Sequence, residues 1–268
     1  MSLIFLYHSK NCRSIVQNLA TEIGTGARIV KDTEFVPPGM DHTVVRWNSK
    51  RVTKGLREVN TRDSVVLVDN KANTRTVLRQ LAPRTVVRER ELFFPCIIRP
   101  YHHFGGKSFH LCRTPLDAKR AIARCGKHWY ASEVVDKLSE YRVFVLQGRV
   151  VSVTQKFAPV DGGLAWNWGA GGTADHVVPK EWPIPVCVAA IRGAAQLGLD
   201  WVAMDVGCTK NGAVIFEGNT APGVKKHYTT NRIVRAFRWL AENPPLPSLV
   251  IPQEPTWKNL IHPALLKP

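Results

Sequence analysis

Two carboxylates and an amide stand close together in a stretch rich in apolar residues: Asp205, Glu217 and Asn219. Their flanks, Trp201-Val202-Ala203-Met204 and Ala213-Val214-Ile215-Phe216, read as two strands, and Lys210-Asn211-Gly212 between them carries hairpin turn chemistry. Read as 201–206 paired with 213–217, the hairpin puts Asp205 and Glu217 near opposite ends of the paired strands, in odd-numbered register, where they share one face. Asn219, two residues past Glu217, shows that face too. Hard oxygen donors of this kind suit Mg²⁺, which binds through one or two carboxylates and fills its other positions with water or nucleotide phosphates. Taken singly, the same residues also suit plainer roles: a strand-end cap for Asp205, a solvent-facing Glu217 and a turn at Asn219-Thr220.

The charge balance is the second signal. The chain has 268 residues with 37 Lys+Arg against 21 Asp+Glu, a net +16. Twelve basic and four acidic residues fall from Arg46 to Arg90, so half of the excess sits in one sixth of the chain. Such a segment attracts polyanions (nucleic acid, phosphorylated small molecules, acidic protein tails) or serves only as a solubility surface.

Other features narrow the classes. About 44% of the residues are hydrophobic, enough for a substantial core, yet no apolar run approaches a membrane span. Leu3-Ile4-Phe5-Leu6 lacks the basic flank and cleavage site of a signal peptide. The six cysteines have no zinc-ligand spacing and read as small hydrophobes in a reducing cytoplasm. Gly106-Lys107-Ser108 evokes a P-loop, but Tyr101 stands where the first glycine belongs. The Gly169 to Ala174 run evokes a dinucleotide fingerprint, but Pro179, Pro183 and Pro185 forbid the helix that must follow it. His102-His103 read as residues near phosphate, or as surface histidines, rather than as metal ligands.

The elements that must position these residues begin in α/β alternation. Strands are expected near 3–7, 27–30, 43–47 and 65–68, with Pro37-Pro38-Gly39 as a turn. Helices are expected at 12–23, closed by Gly24, and at 73–81, capped by Asn73 or Thr74 and stopped before Pro83. The middle is richer in strands: 95–99, 109–112, 129–135, 141–146 and 149–157, the last two joined at Gln147-Gly148. A helix at 117–125 interrupts them. A loop at 161–173, a helix at 185–197 closed by Gly198 and a helix at 229–240 complete the body. Seven of the 18 prolines lie in the last 28 residues, which read as an extended tail or a strap over the body.

Taken in order, Asn70-Lys71, Phe94-Pro95-Cys96-Ile97-Ile98-Arg99-Pro100, Gly105-Gly106-Lys107-Ser108, Ala131-Ser132-Glu133-Val134-Val135, Glu140-Tyr141-Arg142-Val143-Phe144-Val145 and the Asp205…Glu217-Gly218-Asn219-Thr220-Ala221-Pro222-Gly223 run resemble the ATP-grasp superfamily over roughly 70–240. The stretch Trp166-Asn167-Trp168-Gly169-Ala170-Gly171-Gly172-Thr173-Ala174 resembles the RimK-like glutamate ligases within it. The resemblance implies an α/β (α+β) fold. Its parts are a small N-terminal parallel-sheet domain (1–82), a lid sub-domain (83–140), a C-terminal antiparallel-sheet sub-domain for nucleotide and metal (141–240) and the proline-rich tail (241–268).

The resemblance also implies ATP and Mg²⁺ as cofactors. Lys71, Arg99, Gly105, Gly106, Lys107, Ser108, Glu133, Val135 and Glu140 would hold the nucleotide, and Asp205, Glu217 and Asn219 the metal. Arg142, Lys156 and Asn167 would serve the transfer. Physical chemistry agrees: two cations neutralise phosphate oxygens at two points, paired glycines let backbone N–H groups approach phosphate, and a glutamate accepts from both ribose hydroxyls. The chain departs from the RimK-like pattern at Ala165 and Ala170, where the family carries basic residues; Lys225, Lys226 and His227 can fill that gap.

The activity so implied is an ATP-dependent joining of a carboxylate to an amine through an acyl phosphate, in the cytoplasm, without a membrane partner. The substrate would be a small molecule or peptide with an acidic or phosphorylated group, met by Tyr7 to Lys10, Arg46-Trp47-Asn48, Lys156 and 225–227. The tail could strap a neighbour in a homodimer. Two alternatives stay open: a small-molecule kinase on the same fold, of the kind that phosphorylates inositol phosphates, and a binder of nucleic acid or an acidic partner through 46–90, the less favoured of the two.

Overall fold

A computed structural model describes residues 2–35, 42–53, 56–103, 108–160, 162–166, 171–224 and 227–266. The first unit is a parallel sheet of β1 (Ser2–Tyr7), β2 (Ala27–Lys31), β3 (His42–Trp47) and β4 (Arg57–Val59) in the order β2-β1-β3-β4, with α1 (Lys10–Ile23) as the first crossover. β1 is apolar on both faces, as a strand buried on both sides must be. Leu3 and Phe5 enter the main core, while Ile4 and Leu6 pack with Phe35 and Val44.

The stretch expected as a strand at 65–68 is instead α2 (Arg62–Asp69). Thr61 caps it by accepting from the Ser64 N–H, and Val65 and Val68, one turn apart, face inward while Val66 is exposed. A four-residue apolar run does not distinguish strand from helix, and here the cap decides. The next helix, α3 (Lys71–Leu78), starts earlier than expected because Asn70, not Asn73 or Thr74, accepts from the N–H groups of Ala72 and Asn73. Lys71 thereby stands at the first position of a helix.

A second, antiparallel sheet has the order β5-β8-β6-β7, built of β5 (Thr85–Val86), β6 (Cys96–Pro100), β7 (His110–Cys112) and β8 (Trp129–Glu133). It is covered by α4 (Pro115–Cys125), which opens on a capping box of Thr114 and Asp117. The third sheet is antiparallel throughout, in the order β11-β10-β9-β12-β13: β9 (Ser139–Leu146), β10 (Arg149–Phe157), β11 (Thr173–Val177), β12 (Trp201–Thr209) and β13 (Gly212–Asn219). β11 lies partly in a stretch expected as loop, since it is mostly polar and exposed and shows little alternation. α5 (Ile184–Gln196) packs on this sheet, and α6 (His227–Glu242) packs on β10 and on α1.

The first and third sheets share one core. Phe5, Trp47, Trp201 and Phe237 form a chain of ring contacts with centroids 5.1–6.2 Å apart. Asn60 fastens the seam: its side chain donates to the Trp201 C=O at 2.7 Å and accepts the Trp201 N–H at 2.9 Å. The basic segment 46–90 is not one outward face. Arg46 is only 1% exposed and pairs with Glu58 at 3.0 Å, and Arg75 is buried as well.

The proline-rich end lies across β10. It forms α7 (Trp257–Leu260) and buries Leu260, Ile261 and Leu265, while the His262 N–H donates to the Val150 C=O at 2.9 Å. Among the described residues no helix is long and apolar enough to cross a membrane. The His262 ring is fully buried beside Trp239, and burial, with Arg149 adding to it, pushes its pKa down to about 4. Between about pH 6.5 and 4 the unfolded chain binds a proton that the folded chain refuses, so stability falls as pH falls through that window. The melting temperature should drop over that range, and His262→Asn, which can keep the bond to the Ala264 N–H, should flatten the slope by a term on the order of 3 kcal/mol. An unchanged slope in the variant would remove His262 from the account.

Candidate active site

The third sheet sets its charged residues in rows. Across β10, β9, β12 and β13, Thr154, Arg142, Asp205 and Glu217 stand directly opposite one another. One step along, Lys156, Glu140 and Gly207 form a second row. Opposed residues of antiparallel strands share a face, so both rows line the same side. The hairpin pairs 203–209 with 212–219, and Asp205 faces Glu217 directly rather than from the far end. A bulge makes this so: Val206 pairs with Ile215 while Asp205 pairs with Glu217, and Phe216 is the extra residue. Phe216 and Glu217 consequently both line the cleft. Opposite the bulge Gly207 leaves room for the Phe216 ring, since a Cβ there would lie 2.7 Å from it and the ring would have to shift.

Asp205 is clamped on both oxygens. Arg142 donates through Nε at 2.7 Å and through Nη2 at 2.8 Å, and Lys156 Nζ lies 2.7 Å from Oδ2. Lys156 also donates to Glu140 at 2.7 Å, and Lys137 holds the other Glu140 oxygen. Lys71 Nζ stands 3.4 Å from Glu217. Burial works against the charges of Asp205, Glu217, Arg142 and Lys156, and at these four the partners outweigh it, whereas at Lys137 burial prevails and lowers the pKa. Arg142 and Lys156 hold the Asp205 carboxyl below the usual carboxylate range, Lys71 does the same for Glu217, and Asp205 raises Lys156 and Arg142. His103, buried and bonded through Nε2 to the Tyr130 hydroxyl at 2.9 Å, is the opposite case. Burial, reinforced by Arg99, pushes its pKa down to about 3, so it is neutral.

These side chains line one cleft of about 450 Å³, within the range of small-molecule sites. Lys71, Arg99, Glu133, Val135, Glu140, Arg142, Lys156, Asp205, Glu217 and Asn219 all reach it. Ser108 is not among the lining residues; it takes a left-handed conformation with φ 54°. Gly105, Gly106, Lys107, Asn167, Ala170, Lys225 and Lys226 lie outside the described residues. Of the expected substrate surface in the first unit, Asn48 lines the cleft, whereas Arg46 and Trp47 are buried, one in its ion pair and the other in the aromatic core. The sequence reading missed Arg75 and Lys137, and it named Trp166 and Phe216 without giving them a place in the site. Arg75 was legible as the helical i+4 neighbour of Lys71. Lys137 sits 4.3 Å from the Trp166 ring and donates to the Leu164 C=O at 3.0 Å, a contact that no spacing announces.

Among the described residues no three His, Cys, Asp or Glu side chains converge as a metal cage. Two carboxylates and an amide do converge on the cleft, and the Asn219 oxygen, although it accepts from the Ala221 N–H at 2.9 Å, keeps a second lone pair. That set fits a Mg²⁺ whose remaining positions are filled by phosphate oxygens and water.

The clamp separates the two carboxylates energetically. Asp205→Asn leaves Arg142 and Lys156 buried without their main partner and should cost about 3–5 kcal/mol of stability. Glu217→Gln, at a side chain 28% exposed with one long ion pair, should shift the melting temperature little. Equal losses in the two variants, read by thermal melts at one pH, would contradict the clamp.

No protein-family model matches the chain. A probable alpha-L-glutamate ligase of Xanthomonas campestris is 24% identical over 213 residues, covering 75% of this chain and 67% of that protein. One from Xanthomonas oryzae is 25% identical over 211 residues, covering 75% and 66%. The chain thus spans about two thirds of the length of these relatives. Among solved structures, the ATP-grasp ligase PsnB with its minimal precursor superposes with a TM-score of 0.63 at 12% identity, over 90% of this chain and 99% of that one. VanG D-Ala:D-Ser ligase from Enterococcus faecalis gives 0.63 at 14% identity, over 90% and 97%. The D-alanine–D-alanine ligase of Bacillus anthracis gives 0.55 at 11%, over 84% and 88%. A parallel sheet followed by two antiparallel sheets around a cation-rich cleft, matched over most of the chain by three such ligases, gives this chain the ATP-grasp fold.

Proposed function

We propose that the chain is an ATP- and Mg²⁺-dependent ligase that joins a carboxylate to an amine. One observation carries the reading: Lys71 from α3, Arg99 from the second sheet and Arg142 and Lys156 from the third converge on a single cleft with Asp205 and Glu217. Supporting it, the relatives carry the name probable alpha-L-glutamate ligase, and PsnB was solved with its minimal precursor, Mg and ADP.

Placement in the cleft supports the following roles. Lys71 and Arg99 flank the cleft from two sides and neutralise phosphate oxygens at two points. Glu133, the last residue of β8, and Val135, two residues beyond it, would offer backbone groups to the base, and Glu140 would accept from ribose hydroxyls. Asp205, Glu217 and Asn219 would hold Mg²⁺, which would screen the phosphate charge in transfer. Arg142 and Lys156 place their charges beside Asp205 and orient the carboxylate undergoing activation. A carboxylate is a poor electrophile, and its acyl phosphate is a good one; the amine then displaces phosphate.

The test is product analysis. Phosphate should be released when ATP, Mg²⁺, a carboxylate and an amine are all present, and the organic product should carry no phosphorus. A phosphorylated product would establish the kinase instead. Turnover in Glu217→Gln should fall by about two to three orders of magnitude, on the scale of ~3–4 kcal/mol for one lost electrostatic partner. ATP should raise the melting temperature clearly with Mg²⁺ and only slightly without it. Normal turnover in Glu217→Gln would sink the reading.

A further inference from the structure

We propose that Arg75 is a positioning residue that sets the second sheet against the third, and so fixes the distance between the cleft walls that carry Arg99 and Glu217. The inference rests on the reading of the cleft as a nucleotide site. The two walls belong to different cores. Cys96, Ile98, Cys112, Ala118, Ala121, Trp129 and Ala131 close the second sheet on α4, while the first and third sheets share the main core. The relative placement of the walls therefore depends on a few contacts at the seam. Two of these are the Lys71 N–H to the Tyr101 C=O at 3.3 Å, and exposed His102 bonded to the Asp69 C=O at 3.1 Å.

Arg75 touches both walls with one side chain. Its Nη2 donates to the Phe216 C=O at 3.3 Å, at the β13 bulge beside Glu217. Its guanidinium carbon lies 5.0 Å from the centroid of the Tyr130 ring on β8, and Nη1 reaches Thr85 Oγ1 at 3.5 Å at the start of β5. Tyr130 also bonds His103 through its hydroxyl, away from the ring face that Arg75 covers. The residue is only 8% exposed, no carboxylate pairs with it among the described residues, and its Nε is buried without a hydrogen-bond partner. A charge buried without a carboxylate is unfavourable for stability. Its geometry explains its presence: a planar fork donates to a strand carbonyl and lies over a ring at once, which an ammonium cannot do.

Three variants test this. Arg75→Met removes charge and fork, Arg75→Lys keeps the charge alone, and Tyr130→Phe keeps the ring that the guanidinium covers. Hydrogen exchange of the full chain without nucleotide reads the seam directly. Amides of β5, β6 and β8 should exchange roughly tenfold faster in both Arg75 variants, with those of β9 and β12 unchanged and Tyr130→Phe like the parent. Steady-state kinetics should show KM for ATP raised about tenfold with kcat within about threefold. Unchanged exchange in Arg75→Met, faster exchange in all three sheets, a fully rescued Arg75→Lys, or faster exchange with an unchanged KM would each overturn the inference. A parent protein that does not turn over ATP would overturn the proposed function, while the exchange experiment would still decide whether Arg75 sets the seam.

Discussion

The structure turns on the clamp that Arg142 and Lys156 place on Asp205. Three charged groups cannot sit on the buried part of a sheet unless each is matched, because the cost of taking one ion out of water exceeds the stability of most contacts around it. The match here is made by register. Asp205 stands opposite Arg142 across one strand boundary, Lys156 reaches the same carboxylate from the next row, and Glu140 holds Lys156 from its other side. The strand order β10-β9-β12-β13 is thus also a charge order, and a slip of one residue in any pairing would turn the row toward the packed face beneath.

From that row the rest of the architecture follows. The opposite side of the same strands carries Val143, Val145, Val202, Met204 and Val206, all buried, so the sheet has one apolar and one partly charged face. The charged side is roofed at one end by the first sheet and α6 through the chain of aromatic rings, and is left open at the other as the cleft. The second sheet closes over that open end with a core of its own, which makes its placement a matter of individual side chains rather than of bulk packing.

Much of this was legible in the chain. The order of the motif pieces gave the fold, and the residue types gave the carboxylate set and the cations Lys71 and Arg99. What failed did so for identifiable reasons. The apolar run at 65–68 has no period of its own, and Thr61 made it a helix. Arg46 and Trp47 looked like a surface pair, but their burial depends on Glu58 and Trp201, which are distant in sequence. The face shared by Asp205 and Glu217 was inferred from their both being odd-numbered. In a plain hairpin with the two-residue turn seen here, residue 205 would face 216, and Glu217 would point to the apolar side. The inference reached the right face only because Phe216 is an extra residue, and no propensity marks a bulge. Arg75 and Lys137 act through a carbonyl and rings, partners that carry no signature in composition.

That bulge gives the β12–β13 hairpin two scales offset by one residue, as in a vernier. The turn at 210–211 is read on one scale and the carboxylate pair on the other, and Gly207 and Phe216 lock the two together. The turn can therefore vary in sequence, so long as it keeps its length, without moving Glu217. The positions on this hairpin least able to change include a glycine that contributes no side chain at all. Its contribution is the room that it leaves for the Phe216 ring, and a larger residue there would have to displace that ring beside Glu217.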